Sequence, residues 1–519
     1  MLELLIAVIP IYLAWIAFAT KRTLTFLHIY QQEEYDSRRF LNWIWKARAF
    51  DKRLSLALLA SGAAMILINP FLAIGFPVSF AWFAYREKDP RKESKKKLVM
   101  TDRAKRIFVV AILIAAIIPL LHPVFYILGV QLIPLFIVLA NAAFQPYEAR
   151  IQKKFWNEAH AKLAQLNPVV IGITGSFGKT SVKHILGHIL KTHAPTLVTP
   201  GSVNTPMGIT RIIREQLEDN HKYFIAEMGA YGPGSIQRLC DLAPPDMGII
   251  TAIGHAHYER FKTIDTVAEA KFELAQNVLK KNGNIIVTDQ TLEFPHSKAM
   301  AESHKGNFII CGDSGNADLK IGTIEQTPNG LTVSITWKNA PYQLNVPLYG
   351  LHHGRNAALA FAAAASLGLA LEHIITALKS VPQVTHRLEV KKQGGTILID
   401  DAYNSNPEGF KSAIELMPIF GGRKILVTPG MVELGAAHDD AHEKIGQLSG
   451  KICDIVLLVQ GKRIPTFIKG FKETGSGRTL IEVGSFAEAS AWLDANRQNG
   501  DVVLLENDLP DIYERKLKI

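Results

Sequence analysis

The decapeptide at 172–181, GITGSFGKTS, joins a glycine-rich turn to a Lys-Thr-Ser triplet. Read as a strand ending at Thr174, a turn through Gly175, Ser176 and Gly178, and a helix opening near Lys179, it aims backbone N–H groups and a helix dipole at an anion. Gly175 and Gly178 let the backbone approach phosphate. Lys179 suits the β- and γ-phosphates, and the Thr180 hydroxyl, followed by Ser181, suits Mg²⁺. The spacing is TGxxGKTS rather than GxxxxGK[ST], because Ile173 stands where the latter needs glycine. A structural glycine turn also fits the bare pattern; the strand–turn–helix setting favours nucleotide phosphate.

The elements that must hold this turn follow from the hydropathy rhythm. From about Asn167, short apolar runs (PVVIGITG, YFIAEMG, MGIITAIG, GNIIVTD, NFIICGD) alternate with helical stretches, as in a mostly parallel sheet covered on both faces. Residues 317–348 instead alternate apolar with polar around Asn329-Gly330, which predicts an antiparallel insertion. A helix follows over 354–370. A second α/β unit begins after a boundary near residue 380, with GGTILIDDAYNSNP, RKILVTPG, DIVLLVQG and GDVVLLEN as its strands. Cys240, Cys311 and Cys453 are far apart and form no CxxC, so neither a disulfide frame nor a zinc site is indicated.

The first 150 residues differ in kind. Of a net charge of +10, residues 1–106 contribute +9, from 18 Lys/Arg against 9 Asp/Glu. These charges lie between apolar runs at 1–20, 54–85 and 107–144, a pattern of cytoplasmic membrane loops rather than of a nucleic-acid surface. Glu3 and the lack of a basic leader favour an anchor over a cleaved signal. Prolines 70, 119 and 123 break the two longer runs, which predicts five crossings at 1–20, 54–69, 71–85, 107–121 and 124–144. A re-entrant segment is the alternative for one hairpin. The basic stretches 21–53 and 86–106, and everything after 150, then face the cytoplasm.

Four further stretches follow the glycine turn in order: TPGSVNTPMG (199–208), AEMGAYGPGSIQRLCDLAPPDMGIITAIGHAHYERF (226–261), EAKFELAQ (269–276) and IDDAYNSNPEGF (399–410). Together with the turn they resemble the Mur ligases, and most closely the branch that adds D-alanyl-D-alanine, over about 168–510. After the membrane region read at 1–150, the resemblance implies a P-loop-type ATP-binding domain at 151–380 and a Rossmann-like domain at 381–519. It implies ATP and Mg²⁺ as cofactors and an amide ligase working through an acyl phosphate. The substrates would be a muropeptide-like carboxylate and an amino-acid or dipeptide amine.

The same resemblance assigns residues. Glu227 matches an Mg²⁺ ligand, and a hard carboxylate ending a strand suits that ion. His257 matches a ligand of a second metal, with His255 standing where the family has proline. Lys271 matches a lysine that the family carbamylates, although most helix lysines are merely exposed. Asn204 matches an asparagine near the reacting groups. Asn356 is the adenine-reading candidate, His353 replacing the family's first asparagine in GLHHGRNAA. Arg387 would approach the γ-phosphate and Asp401 the ribose, while Asn404 and Asn406 would line the amine side. As residue types alone, Asp400 and Asp401 also suit an acid dyad or another metal site.

Two departures bear on substrate. The family's N-terminal UDP-sugar-binding domain is replaced by the apolar region, and its KGSR-like stretch by LENDLPD at 505–511. A membrane-associated, lipid-linked muropeptide is therefore the expected carboxylate. A P-loop subunit of a transporter, or a non-catalytic scaffold derived from a ligase, are the competing readings.

Overall fold

The computed structural model describes residues 2–93, 97–254, 261, 263–402, 405–432 and 434–507, in two compact units that meet in sequence at Lys153/Lys154. The first unit is helical. Its helices are α1 (Leu2–Gln32), α2 (Ser37–Lys46), α3 (Lys52–Leu67), α4 (Gly75–Arg86), α5 (Asp102–Leu121) and α6 (Phe125–Leu166), the last running on past Lys153. The breaks fall where side chains end helices. Asn69 caps a 3-10 turn that starts at Pro70, and His122-Pro123 separates α5 from α6. Pro119, expected at that break, lies inside α5.

Aromatic packing centres on Trp15, whose ring meets Phe80 and Tyr126 edge-on and whose Nε1 donates to the Ala115 carbonyl. Polar contacts gather at one end of the helices. Buried Arg22 pairs with Asp51 (2.7 Å) and Glu87 (3.3 Å), tying α1 to the start of α3 and the end of α4. Arg103 donates to Asn141 (2.9 Å) and Arg106 pairs with Glu148, which fixes α5 against α6. The opposite end is apolar and exposed, through Ile66, Leu67, Ile68, Phe71 and Ile74 and through Leu120, Leu121 and Val124. Among the described residues, α5 and α6 are the helices long and apolar enough to cross a membrane.

The second unit holds two sheets. The first contains β1 (Val169–Thr174), β2 (Thr196–Val198), β3 (Tyr223–Glu227), β4 (Met247–Ile250), β5 (Asn284–Thr288), β6 (Phe308–Gly312), β7 (Leu319–Thr327), β8 (Gly330–Trp337) and β9 (Ala340–Val346). Their order is β2-β3-β1-β4-β5-β6-β7-β8-β9; pairing is parallel as far as β7, and β7-β8-β9 is an antiparallel meander. The meander occupies the expected insertion and turns at Asn329. Parallel strands covered on both faces read as continuous β-branched runs, and VVIGIT is buried almost throughout. The helices α7 (Lys179–Lys191), α8 (Ile264–Leu279) and α9 (Leu351–Ser366) cover it. Core residues of α7 and α9 share one cluster; those of α8 join a second cluster with Ala159 and Leu163.

The second sheet contains β10 (Glu389–Gln393), β11 (Thr396–Asp401), β12 (Lys424–Thr428), β13 (Ile455–Val459), β14 (Thr479–Val483) and β15 (Val502–Glu506). Its order is β10-β11-β15-β12-β13-β14, parallel except for β10. The order reverses beside β11 and β15, and in open α/β sheets the carboxyl ends of strands at such a reversal are where ligands bind.

Candidate active site

The turn between β1 and α7 is shaped by two glycines. Gly175 has φ +153° and Gly178 φ +80°, where other residues are strained. A Cβ on Gly175 would lie 1.9 Å from Thr251 Oγ1, and one on Gly178 would lie 2.7 Å from Asn356 Oδ1. Asn356, on α9, is therefore packed directly against the phosphate-type turn. Ser176 is held from the other side: its hydroxyl donates to the Gly254 carbonyl (3.0 Å) and accepts from the Gly254 N–H (2.9 Å). Thr174 Oγ1 donates to the Met228 carbonyl, so it links β1 to the chain after β3.

Lys179 and Lys183, four apart on α7, point from the same face. The Lys179 ammonium donates back to the Gly175 (2.7 Å) and Ser176 (3.2 Å) carbonyls, and burial pulls its pKa down to about 8. Lys183 is buried and pairs with Glu227 at 2.8 Å; burial lowers its pKa as well. Glu227 also accepts from Thr180 Oγ1 (3.0 Å) and Asn204 Nδ2 (3.3 Å), and its own N–H donates to Thr199 Oγ1. Tyr231 O–H donates to Asn204 Oδ1 at 2.9 Å and so orients that amide. Arg387, from the segment leading into β10, donates to Thr180 Oγ1 at 3.4 Å.

Lys271, on α8, is buried, which excludes the ordinary exposed-lysine reading. Burial pushes its pKa well below the usual lysine range, and the Lys179 charge adds to the effect. No hydrogen bond joins its side chain to another described residue. The centre thus gathers Lys179, Lys183 and Arg387 near the Glu227 carboxylate, with Lys271 beside Lys179. Such a surplus of cationic groups in a dry setting complements a polyphosphate. Thr180 Oγ1 and the Glu227 carboxylate offer the hard oxygen ligands that a divalent ion prefers.

The Asp400-Asp401 pair is divided by the alternation of strand faces. Asp400 accepts from His386 (Nδ1, 2.8 Å), and Lys391 reaches both Glu389 (2.8 Å) and Asp400 (3.4 Å). His386, Glu389 and Asp400 have ligand atoms within 4.8 Å of one another, but Lys391 already neutralises the acids. Asp401 accepts from the Leu388 N–H at 3.1 Å and stands beside Arg387.

Of the residues expected from sequence, the turn, Asn204, Glu227, Lys271, Asn356 and Arg387 come to one region. Asn406 caps the helix Pro407–Leu416, accepting from the Gly409 N–H at 3.0 Å, so its side-chain oxygen serves the fold. His353 is fully buried, and its Nδ1 has no partner among the described residues. His257 and Asn404 lie outside the described residues. Sequence reasoning missed Lys183, Thr199, Tyr231 and Glu506. Only Lys183 carried a signal, its four-residue spacing from Lys179.

The Mur ligase middle-domain family matches residues 173–364, and the Mur ligase glutamate ligase domain family matches 386–506. Among curated relatives, the UDP-N-acetylmuramoyl-tripeptide–D-alanyl-D-alanine ligase of Mycobacterium tuberculosis is 28% identical over 373 residues, covering 67% of this chain and 71% of that protein. The Bacillus subtilis protein of that name is 32% identical over 292 residues, covering 56% and 62%. Among solved structures, MurF ligase from Thermotoga maritima in complex with ADP superposes with TM-score 0.60 at 25% identity, covering 70% of this chain and 82% of that one.

Proposed function

Because the chain belongs to the Mur ligase family, we propose that it is an ATP-dependent carbon–nitrogen ligase that extends a peptidoglycan precursor. The carboxylate substrate is a muramoyl peptide and the amine is D-alanyl-D-alanine or a similar amino-acid acceptor. The observation that carries this reading is the convergence of Lys179, Lys183 and Arg387 with two oxygen ligands, Thr180 and Glu227, beside the Gly175–Gly178 turn.

The chemistry follows from those groups. The turn's N–H groups and Lys179 hold the β- and γ-phosphates, and Arg387 meets the γ-phosphate beside Thr180. Thr180 and Glu227 would hold Mg²⁺, which would supply neutralisation of crowded phosphate charge. An oxygen of the substrate carboxylate attacks the γ-phosphorus, the bond to ADP breaks, and an acyl phosphate forms. The amine nitrogen then attacks the acyl carbon, phosphate leaves, and the nitrogen gives up a proton as the amide forms. Asn204, fixed by Tyr231 and Glu227, is placed to orient the reacting carboxyl. Exclusion of water protects the acyl phosphate from hydrolysis.

Lys271 acts as its carbamate. A buried lysine held neutral is nucleophilic toward CO₂, and the product anion answers the neighbouring Lys179 charge. With His257, it would hold a second metal. Asp401 meets the ribose and Asn356 the adenine side.

We infer that the helical unit, which precedes the two Mur ligase domains in sequence, anchors this ligase to the cytoplasmic membrane and that the carboxylate substrate is a lipid-linked muropeptide. At 1.5 Å per residue the 20-residue α5 matches a hydrocarbon core of about 30 Å. The 16-residue α3 and 12-residue α4 are too short for it, and their connecting turn is apolar and exposed. These two helices therefore dip into the bilayer and return, which is the re-entrant alternative to two crossings. The polar contacts at Arg22, Asp51, Glu87 and Glu148 mark the cytoplasmic end. Mass spectrometry of cell-wall precursors in cells carrying Lys179→Ala in place of the native protein tests the reading. An accumulated muramoyl peptide lacking its last residues is expected; an unchanged precursor pool would contradict it.

A further inference from the structure

Glu506 ends β15 directly opposite Asp401, which ends β11; the parallel register pairs the two residues. Residues opposed in this way project to the same face. The two carboxyls therefore lie side by side at the carboxyl edge of the sheet, next to its reversal of strand order. Glu506 is completely buried. Its Oε1 accepts from Ser405 Oγ at 2.5 Å, whereas Oε2 has no hydrogen-bond donor among the described residues. A buried oxygen without a donor, next to a second carboxylate, is costly on two counts: lost hydration and like-charge repulsion. One proton held between the acids removes both costs, since Oε2–H then donates to Asp401.

The neighbours determine which acid keeps its charge. Asp401 faces the Arg387 guanidinium and accepts from the Leu388 N–H, with Asp400 next to it in the chain. Among the described residues, Glu506 faces Ser405 and Asp401. Burial and the neighbouring acid push the Glu506 carboxyl well above the ordinary range, and burial raises Asp401 only to about 6. The cation and the backbone donor thus favour charge on Asp401, and the proton belongs to Glu506.

We propose that Glu506 is a positioning residue: as a protonated acid it donates to Asp401 and holds it as a single anion between Arg387 and the Leu388 N–H. This rests on the reading that Asp401 and Arg387 meet the nucleotide. Arg387 also donates to Thr180, so the pair stands one residue from the phosphate turn. An ionised Glu506 would crowd Asp401 and compete for Arg387.

The test uses the full chain in detergent. The infrared difference spectrum of wild type minus E506Q at pH 7 should show the carbonyl stretch of a protonated carboxylic acid; its absence overturns the proposal. Glu506→Gln keeps a donor at Oε2 and should hold KM for ATP within about threefold of wild type. Glu506→Ala should raise that KM at least tenfold, at an unchanged melting temperature once nucleotide is absent. Equal KM increases in both variants would overturn the donor role. If the infrared band is present but neither variant alters KM for ATP, the proton-sharing pair stands and the nucleotide reading of Asp401 fails instead.

Discussion

Replacing Lys183 by methionine removes one member of a pair whose side chains are 3% and 1% exposed. Glu227 is then left with the Thr180 and Asn204 donors but no cation in contact. Breaking such a buried pair costs about 3–5 kcal/mol. The loss has a ceiling, because Glu227 can take a proton instead. From an ordinary glutamate pKa to pH 7 that ceiling is about 3.7 kcal/mol. Over the roughly 350 residues of the second unit, an unfolding entropy of about 2.1 cal/mol/K per residue turns 3–4 kcal/mol into a drop of about 4–5 °C. Adding Glu227→Gln to Lys183→Met removes the stranded charge, and the double variant should recover at least half of that loss. Differential scanning calorimetry of the four proteins, without nucleotide, closes the cycle. Losses that simply add would refute the claim that Lys183 and Glu227 stabilise the fold as a pair. On the proposed role of Glu227 as an Mg²⁺ ligand, the stable double variant should still lack ligase activity.

Three other outcomes follow from the same geometry. Lys179 has a pKa lowered to about 8 in the free protein, and phosphate should raise it; binding therefore takes up a proton above pH 8, and ATP affinity falls as pH rises further. Calorimetry in buffers of different ionisation enthalpy reads that proton, and its absence from wild type would contradict the assignment. Stripping CO₂ and bicarbonate should lower ligase activity several-fold through Lys271, with recovery on adding bicarbonate; Lys271→Ala should be inactive under both conditions. In sealed vesicles, Phe71→Cys should resist a membrane-impermeant maleimide from either side, since the native cysteines are buried and silent. Labelling of Phe71→Cys from the outer side would mean that α3 and α4 cross fully.

Much of the second unit was readable because its signals are local. VVIGIT and YFIAE declare buried parallel strands by their unbroken apolar runs, and the alternation in 317–348 declares a meander. The turn at 174–181 carries its chemistry within eight residues. What could not be read depends on distant contacts. The burial of Lys271 follows from how α8 packs, not from EAKFELA itself. The partnership of Glu506 with Asp401 joins residues 105 apart through strand register. Asn406 looked like a binding residue, yet the following Pro407 marks it equally as a helix cap. In the helical unit, hydropathy located the apolar runs and matched the length of α3, but not the shorter α4, which starts after the turn that Asn69 caps.

The central claim is that this centre makes an amide bond at the expense of ATP. The direct measurement is ADP release by the full chain in vesicles, supplied with muramoyl peptide and D-alanyl-D-alanine separately and together. Turnover that requires both, with equimolar amide seen by mass spectrometry, is the predicted result. ATP hydrolysis indifferent to the amine would contradict it in favour of a transport motor, and a failure to bind nucleotide would leave only a scaffold.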